Sequence, residues 1–124
     1  MKINEAINRL DSLQRNTYTE SDKIAWLSRL DSMVKLQIID AHEGGKCKPF
    51  AGYTDDTPLD TVLLIPAPYD EVYLRWMEAQ IDYHNGEYDK YNNAIIMFNA
   101  SFEAYRDYYI SAHKPVSHGR RFLF

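Results

Sequence analysis

Three side chains able to bind metal stand close together at His42, Glu43 and Cys47. No pair among them repeats a zinc-ligand spacing, and His84, His113 and His118 are scattered along the rest of the chain. They read better as polar residues at a helix end. Cys47 is the sole cysteine, so neither an internal disulfide nor a CxxC motif is possible. A thiol nucleophile would need a histidine base, and the local sequence supplies no such arrangement. Carboxylates pair at Asp55–Asp56 and Asp70–Glu71, with Glu87 and Asp89 nearly adjacent. In a helical first turn such groups oppose the helix dipole, and in a loop they shape turns. The run Glu43-Gly44-Gly45-Lys46 lacks the upstream glycine and the following Ser or Thr of a phosphate-binding loop. The expectation is therefore no catalytic residue, no cofactor and no metal.

The elements that would have to position any chemistry are helical. Ile3, Ala6, Ile7, Leu10 and Leu13 share one face of a helix over roughly 3–14. Thr19 predicts an N-cap, with Asp22 at the third helical position, opening a second helix from about 20 to 43. Its stripe is Ile24, Leu27, Leu30 or Asp31, Val34, Ile38 and Ala41, widened by Trp26 and Met33. Lys23, Arg29 and Lys35 are balanced there by Asp22, Asp31 and Asp40, so the helix shows no basic recognition face for DNA. Gly44 and Gly45 stop it, and residues 44–60 carry no regular pattern. A short extended run is expected at 61–65, closed by Pro66. Pro68 suits the first position of a third helix reaching about residue 84. Asn85-Gly86 breaks it, and a fourth helix follows to His113.

The third and fourth helices carry aromatic lines. Tyr69, Tyr73, Trp76, Gln80 and Tyr83 align on one. On the other, Tyr88, Tyr91, Ile95, Phe98, Phe102, Tyr105 and Tyr109 alternate spacings of three and four, as in a coiled-coil seam. An antiparallel hairpin with Tyr69, Tyr73, Trp76, Tyr88, Tyr91, Ile95, Phe98, Phe102, Tyr105 and Tyr109 in its seam explains both lines more simply than a ligand box. A second line, Ala94, Met97, Ser101, Ala104 and Tyr108, then needs its own cover, from the first helices or from a neighbouring subunit. The fold class expected is all-α: a four-helix bundle with a long C-terminal hairpin, an irregular loop over about 44–66, and an extended tail.

At 124 residues with 45% hydrophobic and 26% charged side chains, the chain is one domain of ordinary globular composition. It divides into a helical body, 1–113, and a tail, 114–124. Residues 67–113 hold eight acids against three bases, a balance of −5, whereas the tail holds three bases and no acid, +3. The overall charge of −4 argues against binding nucleic acid through phosphate contacts over the whole surface. The tail ends Arg120, Arg121, Phe122, Leu123 and Phe124, a basic and aromatic segment suited to anchoring on another protein. "MKINEAINRL" has no signal-peptide core and no apolar run approaches a membrane span, so a reducing cytoplasm is the expected site of synthesis.

The order of these segments resembles a family. "YTESDKIAWLSRLD", a helix ending in "HEGG", then "IPAPYDEVY" and "EAQIDYHNGEYDKYNNAIIMFN" are similar to head–tail connector (adaptor) proteins of long-tailed bacteriophages and prophages of Gram-positive bacteria. The likeness spans nearly the whole chain except the loop from Lys46 to Asp60. It implies a non-enzymatic virion protein that forms a homo-oligomeric ring, commonly a dodecamer, in the phage neck beneath the portal protein. DNA would pass through the lumen without specific binding, and a head-closure or tail protein would dock below. Arg120, Arg121, Phe122, Leu123 and Phe124 would form the portal-docking segment. Two other readings stay open: a head-closure (stopper) protein, expected to be β-rich, and a host-side helical domain that binds a ligand or regulates.

Overall fold

The computed structural model describes residues 1–39 and 50–112. The architecture is all-α, with four α-helices among the described residues: α1 (Ile3–Leu13), α2 (Glu20–Val34), α3 (Val72–His84) and α4 (Tyr88–Ala112). Each starts or stops where its residues require.

On α1, Ile3, Ala6, Ile7 and Leu10 recur at three- and four-residue steps and are buried. Its first amides have no intrahelical acceptors, and the connecting segment supplies them. Ile3 N–H donates to the Thr61 carbonyl at 3.0 Å and Asn4 N–H to that of Leu59 at 2.9 Å. Leu63 N–H returns a bond to the Met1 carbonyl at 2.9 Å, beside a single antiparallel bridge between Lys2 and Val62. The extended run expected at 61–65 therefore works as a cap on α1.

α2 opens on the expected Thr19 N-cap, which the structure completes as a capping box: Asp22 N–H donates to Thr19 Oγ1 at 3.1 Å, and Thr19 N–H to Asp22 Oδ2 at 3.2 Å. The regular helix is shorter than the apolar stripe suggests. After Val34 the chain widens into one π-helical turn, Lys35–Ile39, which buries Lys35 and Ile38. The remainder of the expected helix, 40–43, lies outside the described residues.

α3 is entered through a 3₁₀ turn, Tyr69–Glu71, one step after Pro68. Val72, Tyr73, Leu74, Trp76, Met77, Ala79, Ile81 and Asp82 are all buried, so α3 is covered on nearly every side. It stops in a Schellman arrangement. Glu87 N–H reaches the Asp82 carbonyl at 2.9 Å, Gly86 N–H reaches that of Tyr83 at 3.1 Å, and Gly86 takes a φ of 76°. That left-handed backbone is what glycine supplies without strain. α4 then folds back antiparallel along α3.

The core is one cluster in which α3 meets Ile3, Ile7 and Leu10 of α1, Leu27, Leu30 and Val34 of α2, and Phe98, Tyr105 and Tyr109 of α4. No helix among the described residues is long and apolar enough to cross a membrane.

Candidate functional site

The hairpin seam has a fixed register. Tyr69 lies 5.8 Å from Tyr105 between ring centroids, Trp76 5.0 Å from Phe98, and Tyr83 5.4 Å from Tyr91. Each seven-residue advance along the first arm of the hairpin, from Tyr69 through α3, matches a seven-residue retreat on α4. Tyr88 meets Tyr83 edge-on at 6.0 Å, Phe102 leans on Phe98 at 5.6 Å, and Tyr109 on Tyr105 at 6.0 Å. Ile95 and Phe102 pack half-buried against the core. The rings are offset or tilted, the geometry that their quadrupoles favour.

Tyr73 departs from the expected line. It is fully buried, and its hydroxyl donates to Asp31 Oδ1 at 2.6 Å while accepting the Ile65 amide at 2.7 Å. Four residues after Tyr69, it sits roughly 40° around the helix, and roughly 60° from Trp76, which turns it off the seam toward α2.

Asp31 is the polar hub that the sequence reading passed over. Its carboxylate, fully buried on α2, takes the Tyr53 hydroxyl at 2.5 Å and the Leu64 amide at 3.1 Å in addition to Tyr73. Burial pushes this carboxyl above its ordinary range, and the Tyr53, Tyr73 and Leu64 donors offset part of that rise. Burial and the adjacent Asp31 charge push both phenols far up, so they stay protonated and donate. The signal was an acid competing for a position in an apolar stripe, which a buried acid occupies only when its donors are in place. Closed to solvent, the trio ties the connecting segment to α2 and α3. Gly52 completes the attachment. Its φ is 84°, a Cβ there would stand 2.7 Å from Ser28 Oγ, and that oxygen accepts the Tyr53 amide at 2.9 Å.

The surface of α4 is the opposite case. Only Phe98, Tyr105 and Tyr109 of its twenty-five residues are buried. Ile96 is 64% exposed, Met97 47% and Tyr108 46%. Met97, Ala104 and Tyr108 belong to the second line read from the sequence; Tyr108 stacks on Tyr69 at 4.9 Å yet stays half exposed, and all three stand open to solvent among the described residues. Apolar side chains also stand open on other elements, at Leu36, Leu59 and Val62.

A groove of about 580 Å³ runs between α1 and the entry to α3, walled by Leu13, Pro68 and Leu74 and rimmed by Arg9, Asp70 and Glu71. The sequence reading did not anticipate it, because its walls come from segments over fifty residues apart. A smaller recess of about 340 Å³ lies beside Trp26 and His84, whose rings stack at 5.8 Å. Among the described residues, no three His, Cys, Asp or Glu side chains gather as a metal site. Asp55 Oδ2 accepts the Ser21 hydroxyl at 3.2 Å. His42, Glu43 and Cys47 lie outside the described residues, as do His113, His118 and the proposed docking residues Arg120, Arg121, Phe122, Leu123 and Phe124.

Compared with protein-family models, curated proteins and solved structures, the chain finds no match.

Proposed function

We propose that this protein is a structural subunit of a phage neck, an adaptor ring that joins the portal to the next neck or tail protein and lets DNA pass through its lumen. The observation that carries the reading is α4: a long helix held by a seam along one side, with an apolar line left uncovered beside it. A monomer gains nothing from exposing Ile96 and Met97 side by side, whereas a neighbouring copy would bury them. Exposed apolar residues on unlike elements, Leu36, Leu59 and Val62, suit a head-to-tail contact, which closes into a ring when the rotation closes. The resemblance of "IPAPYDEVY" and its surroundings to phage adaptors points the same way. The acidic body also suits a channel that DNA must slide through without being gripped.

Assembly is the mechanism. The α4 line packs against a neighbouring subunit, the C-terminal segment docks on the portal, and the connecting segments form a platform for the next ring. The test is to mix the full-length protein with purified portal rings and image the product. The wild-type chain should add a ring of density to the portal. An Ile96→Glu/Met97→Glu variant should keep its helical circular-dichroism signal and add none. A variant that still assembles, or a wild-type chain that never binds portal, would sink the reading.

A further inference from the structure

The residues that line the groove between α1 and the entry to α3 include none from α4, yet its chemistry is specific. Leu13, Pro68 and Leu74 give it an apolar wall, and Leu13 is 68% exposed there. Asp70 and Glu71 face Arg9 across it, which leaves the rim one negative charge in excess. Glu71 otherwise meets Arg75 at 3.3 Å in a surface pair, and Asp70 lies 3.6 Å from the Met1 amine. A volume of about 580 Å³ is within the range that encloses several large side chains.

Two observations identify the occupant. The first is where α4 ends. Tyr108 stacks on Tyr69 at 4.9 Å and Tyr105 lies 5.8 Å from the same ring. Tyr69 is flanked in the chain by Pro68 and Asp70, both of which line the groove. The described part of α4 reaches Ala112, one turn past Tyr108, so the last described residue lies close to the groove. The twelve residues that follow could span up to roughly 40 Å, which is ample.

The second is complementarity. Residues 114–124 hold Lys114, Arg120 and Arg121 with no acid, and they finish Phe122-Leu123-Phe124. A cationic, aromatic segment fits an acidic rim over an apolar floor. Tethering raises its effective concentration to the order of millimolar, so weak contacts suffice to seat it.

We propose that residues 114–124 dock in this groove of their own chain in the free subunit. Arg120 and Arg121 meet Asp70 and Glu71, and Phe122 to Phe124 cover the exposed Leu13 and Pro68. The contact shields an apolar segment that would otherwise invite aggregation. It concerns the free protein, so it stands or falls separately from the portal reading.

The experiment uses the full chain with p-benzoylphenylalanine in place of the exposed Leu13, and a second version with the probe at Ser12. After irradiation, intact mass separates cross-links within one chain from those between chains, and peptide mapping locates them. The expected product is an intramolecular link to residues 114–124. An Arg120→Glu/Arg121→Glu variant, which leaves the body untouched, should reduce its yield by at least about fivefold, as should raising the salt toward 1 M. Links that avoid 114–124 with both probes would overturn the proposal. So would a yield indifferent to the arginines, or a product between chains that grows with concentration, which would make a second copy the occupant.

Discussion

α3 and α4 are neighbours in one hairpin and share one seam, yet they are built to opposite specifications. On α3, eight of thirteen residues are buried, against three of twenty-five on α4. Each helix carries a methionine that makes the contrast concrete: Met77 is fully buried, and Met97 is 47% exposed. α3 touches α1, α2 and α4, so its sequence answers to the fold on every side. α4 answers to the fold along one line only, and the rest of its apolar surface is free to answer to something else. Secondary structure and composition do not separate the two helices. What separates them is how many neighbours each has.

The sharpest way to break the comparison is to cut the same side chain on both helices. Met77→Ala should cost about 2–5 kcal/mol, as truncations in a closed core do. Met97→Ala should change the stability of the isolated subunit by no more than about 0.5 kcal/mol, the usual range at an open surface. Urea unfolding followed by circular dichroism measures both. Equal losses would mean that α4 is covered in the free protein and that the contrast is false. A smaller effect is expected at the hub that locks α3 to α2. Tyr73→Phe removes the donor to Asp31 and the acceptor of the Ile65 amide, and should cost about 1–3 kcal/mol. Tyr88→Phe, on an open turn of α4, should cost almost nothing in the same assay.

Much of this was legible in the sequence where the signal was local. The Thr19–Asp22 capping box, the Asn85-Gly86 stop and the three-four spacing of the α4 seam are all set within a few residues of chain. The pairing of Tyr69, Trp76 and Tyr83 with Tyr105, Phe98 and Tyr91 follows from those spacings and a short turn. Tyr73 was misplaced because α3 has two packed faces, and a period of 3.6 does not say which face a flanking residue joins. In the sequence, Asp31 stands only as an alternative to Leu30 in an apolar stripe. Its partners, Tyr53, Leu64 and Tyr73, are twenty-two to forty-two residues away, beyond the reach of any local pattern. The α1 groove was hidden for the same reason. The candidate interface on α4 was half legible: the second apolar line was visible, but its lack of cover is a property of the fold.

The finest test of the two-region contrast is a titration, because the acids that brace the core have opposite signs. Burial raises the Asp31 carboxyl above its ordinary value of 3.8, despite the offsetting bonds from Tyr53, Tyr73 and Leu64. Its contribution to stability is therefore complete below 3.8 and declines as pH rises through the folded value. Asp11, which joins α1 to α2 through Lys23 at 2.7 Å, behaves the other way. Burial alone would raise it, but the Lys23 and Asn16 bonds and the Lys23 charge outweigh that and hold it below 3.8. Its contribution is present above 3.8 and is lost as pH falls through the folded value. Glu78 is also raised, chiefly by burial, so the raw profile mixes contributions and the difference between variants is the useful readout. Melting temperatures from about pH 2.5 to 6.5 would be compared for wild type, Asp31→Asn and Asp11→Asn. The Asp31→Asn profile should lie below wild type by an offset that shrinks as pH rises, because the wild type alone pays for ionising a buried carboxyl. The Asp11→Asn offset should shrink as pH falls. If the Asp31→Asn curve runs parallel to wild type throughout, the Asp31 carboxyl binds its proton equally well in the folded and unfolded chain, and the upward shift from burial is refuted.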